Sequence, residues 1–353
     1  MSKQLLRRAI HRIGVIVALS SMAGIASPAM AADLRIGLVV PGPNAYFDPW
    51  RAAATDAGKT YGFVSTFAVP PTDAFNLTQE NALLDSLASR GYVGFTVFPG
   101  DTHGTNAEEA KLLRRGISTV NVNGCTYDPS PAAFCISADI YKAAHTQADA
   151  LIKAIGGSGD IALLASQLTD PNTQLRIQAV KDAVAATGGK VTLAQIVADI
   201  DTPQLSPPAV NALLAARGNT LAGAMSTSYN PSIAMAVALT DNPQFRHIKF
   251  IGADASPQVM EAVRNGIITG TLFQNTYGMA YAAAYALFRM AHDKCTVRPD
   301  ARFDKSLQTA KQLTSGVLLV GKDNVARYPG PASLPDDTKR LISAIDTAVL
   351  ACH

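Results

Sequence analysis

Short β-branched hydrophobic runs alternate with longer amphipathic segments along the chain from Leu34 onward. Continuous apolar runs are typical of buried strands, and apolar residues three and four positions apart are typical of helices. The alternation predicts βα units around parallel sheets, an α/β fold. The predicted strands are 35–40, 62–67, 94–98, 118–122, 134–137, 160–165, 190–197, 222–226, 249–252, 270–273 and 317–320. The predicted helices are 48–60, 76–90, 105–115, 139–155, 172–187, 230–241, 277–293 and 335–350.

No low-complexity linker divides the chain, and its prolines and glycines are scattered over the predicted strand–helix junctions. The glycine cluster at 156–159 precedes a predicted strand, whereas a dinucleotide-binding fingerprint follows one, so we interpret the cluster as a turn. The sequence contains no Walker-type loop, Gly-x-Ser-x-Gly elbow or His-Glu-x-x-His motif. We interpret Asp101-Thr102-His103 as a polar loop in preference to a metal site. The motifs therefore indicate no enzyme, no cofactor and no metal.

The first 31 residues have the pattern of a signal peptide. A basic segment, residues 1–12, is followed by an apolar stretch, residues 13–26, and then by Ala29-Met30-Ala31. Small residues at these last positions fit signal peptidase, so we expect cleavage after Ala31 and export. An uncleaved N-terminal anchor is the alternative. The absence of a cysteine near the junction argues against a lipid anchor.

Composition and charge exclude several classes of partner. Hydrophobic residues make up 48% of the chain and charged residues 16%, which argues against disorder. The formal net charge of +3 includes four basic residues and no acid within residues 1–31, which leaves 26 basic against 27 acidic residues in the remainder. A chain of net charge near −1 has no overall field for nucleic acid or anionic lipid.

The four cysteines are Cys125, Cys135, Cys295 and Cys352, an even number that permits disulfides in an exported protein. Three pairings are formally possible. We favour Cys125–Cys135, which closes a proline-containing loop, and Cys295–Cys352, which fastens the C-terminal segment to the end of a long helix. Free buried thiols are the alternative, and zinc is disfavoured because no Cys-x-x-Cys or helical histidine pair accompanies the cysteines.

Seven segments, in order, resemble the periplasmic sugar-binding proteins of the ribose- and galactose-binding type, and together they cover nearly the whole mature chain. They are LRIGLVV, PGPNAYFDPWRAAATDAG, QENALLDSLASRGYVGFTVFPGD, ISADIYKAAHTQADAL, NTQLRIQAVKDAV, FIGADASPQVMEAVRNGIITGTLFQN and VLLVGKDNV. The resemblance implies two Rossmann-like lobes with parallel sheets, joined by a three-segment hinge. Lobe one would comprise 34–136 plus 275–316, and lobe two 137–274 plus 317–353. The ligand would lie in the cleft, at the carboxyl ends of the strands.

The resemblance also assigns ligand contacts in lobe two and at the hinge. Asp254 matches a carboxylate that accepts sugar hydroxyls, although a helix N-cap is the alternative for it. Arg176 matches a ligand-binding arginine whose planar fork holds an oxygen atom, and a solvated arginine on the helix surface is the alternative. Gln274 matches a hinge-side amide. Asp139 matches an acid at the crossing between lobes, and capping of the following helix explains it equally well.

In lobe one, the expected contacts are the rings of Tyr46 and Phe47 and the amide of Asn123, with Trp50 ranked below them as a structural residue. The sequence also departs from the family pattern. Asn123-Gly124 replaces an Asp-Arg pair, Ser228-Tyr229 replaces Asn-Asp, and Phe98 occupies a position that is often polar. The pocket is therefore expected to be less polar than one built for a free hexose.

The function that follows from the resemblance is capture of a sugar, polyol or similar small molecule for an ABC-type permease, by a monomer. A ligand-sensing subunit that signals to a membrane histidine kinase is the first alternative, and a binder of a less polar, non-sugar ligand is the second. An exported enzyme is a third hypothesis, but the six histidines show no nucleophile–base arrangement in the sequence.

Overall fold

The computed structural model describes residues 34–72, 75–328, 330 and 334–352. The predicted signal peptide lies outside these residues. No helix within the described ranges combines the length and the apolar character needed to cross a membrane.

Strands and helices alternate through the described chain. The strands are β1 (Arg35–Val39), β2 (Val64–Ala68), β3 (Gly94–Val97), β4 (Ser118–Val122), β5 (Phe134–Ser137), β6 (Gly159–Leu164), β7 (Val191–Val197), β8 (Leu221–Ser226), β9 (Lys249–Ala253), β10 (Gly270–Gln274), β11 (Thr296–Val297), β12 (Gln312–Thr314), β13 (Val317–Gly321) and β14 (Leu350–Ala351). The helices are α1 (Asp48–Tyr61), α2 (Leu77–Ser89), α3 (Thr105–Arg114), α4 (Ile140–Ala154), α5 (Pro171–Ala185), α6 (Ser206–Arg217), α7 (Tyr229–Asp241), α8 (Pro257–Arg264), α9 (Thr276–His292) and α10 (Pro335–Ala344).

Lobe one is built on a fully parallel sheet with the strand order β12-β5-β4-β3-β1-β2. Alternate residues of β1 face opposite sides of the sheet. Leu38 packs into a core with α1 and α9, and Val39 packs into a second core with α2 and α3. Burial on both faces explains why these strands are continuous apolar runs.

Lobe two is built on a second sheet, with the order β13-β10-β9-β8-β6-β7. Its strands are parallel except for β13, which runs antiparallel to β10 at the edge. Two cores again lie on opposite faces, and Phe250 and Leu163 are buried one in each. The two mostly parallel sheets with helices on both faces confirm the predicted fold class.

The C-terminal segment differs from the expectation. We expected residues 317–353 to belong to lobe two, but only β13 and the turn after it pack there. Helix α10 packs on α9, where Leu341 and Ile345 are fully buried in the core of lobe one. The terminal strand β14 then pairs with β11, which follows α9. The apolar face of α10 therefore draws the end of the chain back to lobe one.

Both predicted disulfides are confirmed. Cys125 is bonded to Cys135 and Cys295 to Cys352, and none of the four cysteines is free. The second bond joins the end of α9 to the chain just after β14, which fixes the C-terminal segment to lobe one.

Three crossings between the lobes lie close together and are hydrogen-bonded. The first and third crossings meet where the Ser315 amide donates to the carbonyl of Ser137 at 3.0 Å. The second and third are both tied to Asp337 on α10. Its carboxylate accepts from the Asn275 amide at 2.9 Å and from the Gly316 backbone at 3.2 Å.

Candidate functional site

The cleft between the lobes contains the carboxyl ends of strands from both sheets. A cavity of about 570 Å³ opens there. It is lined from lobe one by Tyr46 and Thr276, from lobe two by Tyr229 and Asp254, and by Gln274 where the chain crosses. Such a position, outside the carboxyl ends of parallel strands, is where α/β proteins bind small ligands.

Tyr46 lies in a short 3-10 helix after β1, whose first turn is capped by the Asn44 side chain on the Tyr46 amide at 2.9 Å. Its ring stays partly exposed, but its hydroxyl is buried and has no hydrogen-bond partner among the described residues. The ring meets Tyr229 of lobe two edge-on, with centroids 6.2 Å apart. Burial, and next the nearby Asp254 carboxylate, raise the pKa of Tyr46 well above its usual value, so the hydroxyl is a neutral hydrogen-bonding group.

Phe47 and Trp50 point into the core of lobe one, where they are 6% and 0% exposed. Phe47 packs edge-on against Phe98 and Trp50, with centroids 5.6 and 5.9 Å apart. Trp50 is a core residue, in line with its lower rank among the expected contacts. Phe47 therefore packs beneath the surface of lobe one, against the ring of Phe98. Direct contact of Phe47 with a ligand stays a prediction.

Asn123 and Asp254 share an unusual backbone conformation. Each follows a strand, β4 in lobe one and β9 in lobe two, with a φ angle of 65° and 64°, respectively. This left-handed region is tolerated by Asn and Asp better than by other non-glycine residues. Both side chains are buried, and Asn123 Oδ1 and Asp254 Oδ1 have no hydrogen-bond partner among the described residues. Backbone strain at such positions is characteristic of functional sites.

Asp254 does not cap the helix that follows it. Ser256 does so, because its hydroxyl accepts from the Val259 amide at 3.2 Å. Burial raises the pKa of Asp254 to about 7; the Arg176 guanidinium opposes this shift, and the Asp201 carboxylate adds to it. The capping alternative for Asp254 is thereby removed, and its carboxylate is left in the cleft.

Arg176 is half-buried on α5 and makes no hydrogen bond or ion pair within the described part of the chain. Its positive charge opposes the rise that burial causes in the pKa of Asp254, Asp201 and Tyr46, so these four groups interact electrostatically. Gln274 ends β10, and its buried Oε1 has no partner among these residues. Of the predicted contacts, Tyr46, Asp254 and Gln274 line the cavity, and the roles of Asn123 and Arg176 toward a ligand stay predictions.

Two residues were not predicted as ligand contacts. Asp201 follows β7 and accepts from the backbone and the side chain of Asn230, each at 3.0 Å. Burial raises its pKa. Ser228, which the sequence shows only as a departure from the family pattern, has a buried hydroxyl without a partner in the described residues. The resemblance did not identify Asp201, because the loop after β7 lies outside the seven segments that resemble the family.

The remaining candidates have structural roles. Asp139 caps α4 by accepting from the Lys142 amide at 2.9 Å. Asp101 accepts from the backbone amides of His103 and Gly104, at 2.9 and 2.8 Å, which is an Asx-type turn. The described chain contains no group of three or more His, Cys, Asp or Glu residues arranged to hold a metal ion.

The unpartnered buried atoms define what this site can do. They lie on both lobes, as Tyr46 Oη and Asn123 Oδ1 on one and Ser228 Oγ and Asp254 Oδ1 on the other. A buried polar atom without a partner costs about 1–3 kcal/mol, so a ligand that supplies hydrogen bonds to both lobes is favoured. The fold and site together define a two-lobed α/β protein with a polar cavity in the cleft between its lobes.

Residues 36–294 match the family model of the periplasmic binding protein domain, and the chain belongs to this family. Solved structures agree in fold. A solute-binding protein from Actinobacillus succinogenes with bound D-allose is 17% identical with a TM-score of 0.73, over 84% of this chain and 100% of that one. A protein from Burkholderia graminis in complex with D-arabinose is 20% identical with a TM-score of 0.72, over 84% and 98%. A protein from Bacillus halodurans with bound myo-inositol is 16% identical with a TM-score of 0.72, over 84% and 97%.

Proposed function

We propose that this protein captures a sugar, polyol or similarly sized hydroxylated molecule in the periplasm and delivers it to an ABC-type permease. The observation that carries the proposal is the set of buried polar atoms without partners on both sides of the cleft. Hydroxyl groups donate and accept at once, so a polyol satisfies the Asp254 carboxylate and the Tyr46 hydroxyl together. The bound sugars and the transporter assignments of the similar structures support this substrate class and the permease as partner.

The two halves of the cleft differ in charge, which bears on the ligand. Lobe two supplies Arg176, Asp201 and Asp254, whereas lobe one supplies the neutral Tyr46 and Asn123 beside the ring of Phe98. A ligand that presents hydroxyls to lobe two and a C–H face to lobe one fits this asymmetry. The sensing subunit would use the same cleft, and the transporter assignments of the neighbours favour import.

The proposal is tested with purified protein in a thermal-shift screen of D-allose, D-arabinose, D-galactose, D-tagatose and myo-inositol. A ligand that binds only the folded state raises the melting temperature. We expect at least one of these compounds to do so, and calorimetry then gives its affinity. A screen in which none of these compounds raises the melting temperature would contradict the proposed substrate class.

Substitutions of the charged residues test the site itself. We expect Asp254→Ala and Arg176→Ala each to weaken binding of the best compound at least tenfold, since a lost hydrogen bond to a charged group costs about 1.5–3 kcal/mol. Asp241→Ala is the matched control, because Asp241 is exposed at the end of α7. Wild-type affinity in both variants would show that Asp254 and Arg176 do not contact the ligand.

A further inference from the structure

A hydrogen bond joins the two lobes at the start of α5, one helical turn before Arg176. The Gln308 side-chain amide of lobe one donates to Asn172 Oδ1 of lobe two at 2.8 Å. The two side chains are 5% and 2% exposed, so the bond is shielded from water. Its partners are 136 residues apart in sequence and belong to different lobes.

Gln308, the lobe-one partner, lies in a loop that is held in place by hydrogen bonds to Asp128. The backbone carbonyl of Gln308 accepts from the Asp128 amide at 3.2 Å. The Asp128 carboxylate in turn accepts from the Thr309 hydroxyl at 2.9 Å and from the Ala310 amide at 2.8 Å. Asp128 belongs to the loop that the Cys125–Cys135 disulfide closes. Gln308 is thus held in place by covalent and hydrogen bonds within its own lobe.

The lobe-two partner is equally fixed. Asn172 lies in the first turn of α5, and its amide donates to the capping residue Asp170 at 2.9 Å. The same carboxylate raises the pKa of Tyr127, a residue of the disulfide loop, after the larger effect of burial. A Cβ on Gly124 of lobe one would lie 3.6 Å from Asn172 Nδ2, so the two rims of the cleft are close to each other at this point.

We propose that Asn172 and Gln308 form a latch, a direct hydrogen bond between protein groups that holds the lobes closed. When the lobes separate, water solvates both amides, so the direct bond contributes only to the closed state. A ligand that requires closure then gains affinity from the pair, mainly through slower release. This consequence for the ligand rests on the proposed function, whereas the latch itself is a property of the protein alone.

The latch is tested on full-length mature protein without ligand, by measuring the distance between spin labels on the two lobes. Arg114→Cys on α3 and Lys181→Cys on α5 provide exposed labelling sites, and the native cysteines are all paired. We expect Gln308→Ala and Asn172→Ala each to lower the ratio of closed to open molecules about fivefold, which corresponds to about 1 kcal/mol. The double variant is expected to match the single ones.

Gln178→Ala is the matched control, because Gln178 lies on the same helix but bonds only to Asp182 within it. It should leave the distance distribution of the labelled wild-type protein unchanged. Identical distributions in all variants, additive effects in the double variant, or a labelled wild-type protein that shows only the open distance would each overturn the latch. If Gln308 had only a structural role, Gln308→Ala would lower the melting temperature, and its effect would be independent of the substitution at Asn172. Failure of the sugar screen leaves this test intact, so the two proposals fail separately.

Discussion

Asn123 and Asp254 illustrate how single residues build this cleft. Each one ends a central strand in the left-handed conformation, and each directs a buried polar group between the lobes. The sequence identifies both positions through the family pattern, but not their conformation, because φ depends on the turn that follows the strand. Asp201 was missed for a related reason: its place in the cleft depends on how its loop folds against Asn230.

The raised pKa of Asp254, about 7, makes ligand binding pH-dependent. The ionised carboxylate accepts stronger hydrogen bonds from hydroxyls, so the ligand binds that form better and lowers the pKa. We expect affinity to rise with pH from 5.5 to about 7 and then to level off. Calorimetry of the best compound from the screen, in buffers of different ionisation enthalpy, should detect proton release below pH 7. Asp254→Asn should abolish the dependence, and tighter binding at low pH would contradict the assignment.

A second pH effect concerns stability and lies inside lobe one. Glu109 is fully buried; its Oε1 accepts from the Asn121 amide at 2.6 Å, and burial raises its pKa to about 8. The folded state therefore holds a proton that the unfolded chain loses near its ordinary pKa of 4.5. Stability contributed by this group is complete below that value and is lost as the pH rises to about 8.

We expect the free energy of unfolding of the wild-type protein to fall by a few kcal/mol between pH 5 and pH 9, on the order given by a pKa difference of this size. Glu109→Gln should flatten this decline, whereas Glu261→Gln, at an exposed position, should leave it unchanged. Chemical denaturation at both pH values measures the effect. Equal slopes for the wild type and Glu109→Gln would show that the burial of Glu109 does not govern the decline.

At the scale of elements, the sequence predicts those helices and strands whose apolar residues recur with a clear period. Strands β4 and β5 have the predicted bounds, and α1 differs by a single residue. Helix α6 was not predicted, since it opens with Ser206-Pro207-Pro208, which has the pattern of a turn. Strand β12 was missed because it is only three residues long. The lobe on which α10 packs depends on contacts between residues far apart in the sequence, which periodicity does not show. The predicted Cys295–Cys352 bond nevertheless required the C-terminal end of the chain to lie near α9.

The contribution of α10 to lobe one is testable. Leu341 is fully buried between α10 and α9, whereas Leu307 is 69% exposed. We expect Leu341→Ala to lower the free energy of unfolding by about 2–4 kcal/mol through lost burial and a residual cavity. Leu307→Ala should change it by less than about 0.5 kcal/mol. Chemical denaturation distinguishes the two, and equal effects would contradict the packing of α10 on α9.

At the scale of the molecule, ligand capture requires contacts on both lobes. Only a ligand with different affinity for the open and closed forms shifts their balance. We propose that Tyr46 and Asn123 on one lobe and Arg176 and Asp254 on the other provide these contacts. We expect the best compound of the screen to reduce the radius of gyration, measured by small-angle scattering at saturation. An unchanged radius together with calorimetric binding would reject the two-lobe clamp.

The bonds of Asp337 restrict how the lobes move. Its carboxylate holds the second and third crossings through Asn275 and Gly316, and the third is also bonded to the first at Ser137. Crossing segments that are hydrogen-bonded to one another in this way do not move independently. We therefore expect the motion of the lobes to be a rotation about one axis through the three crossings. A single angle then describes opening, and reporters at different places on lobe two should follow the same time course.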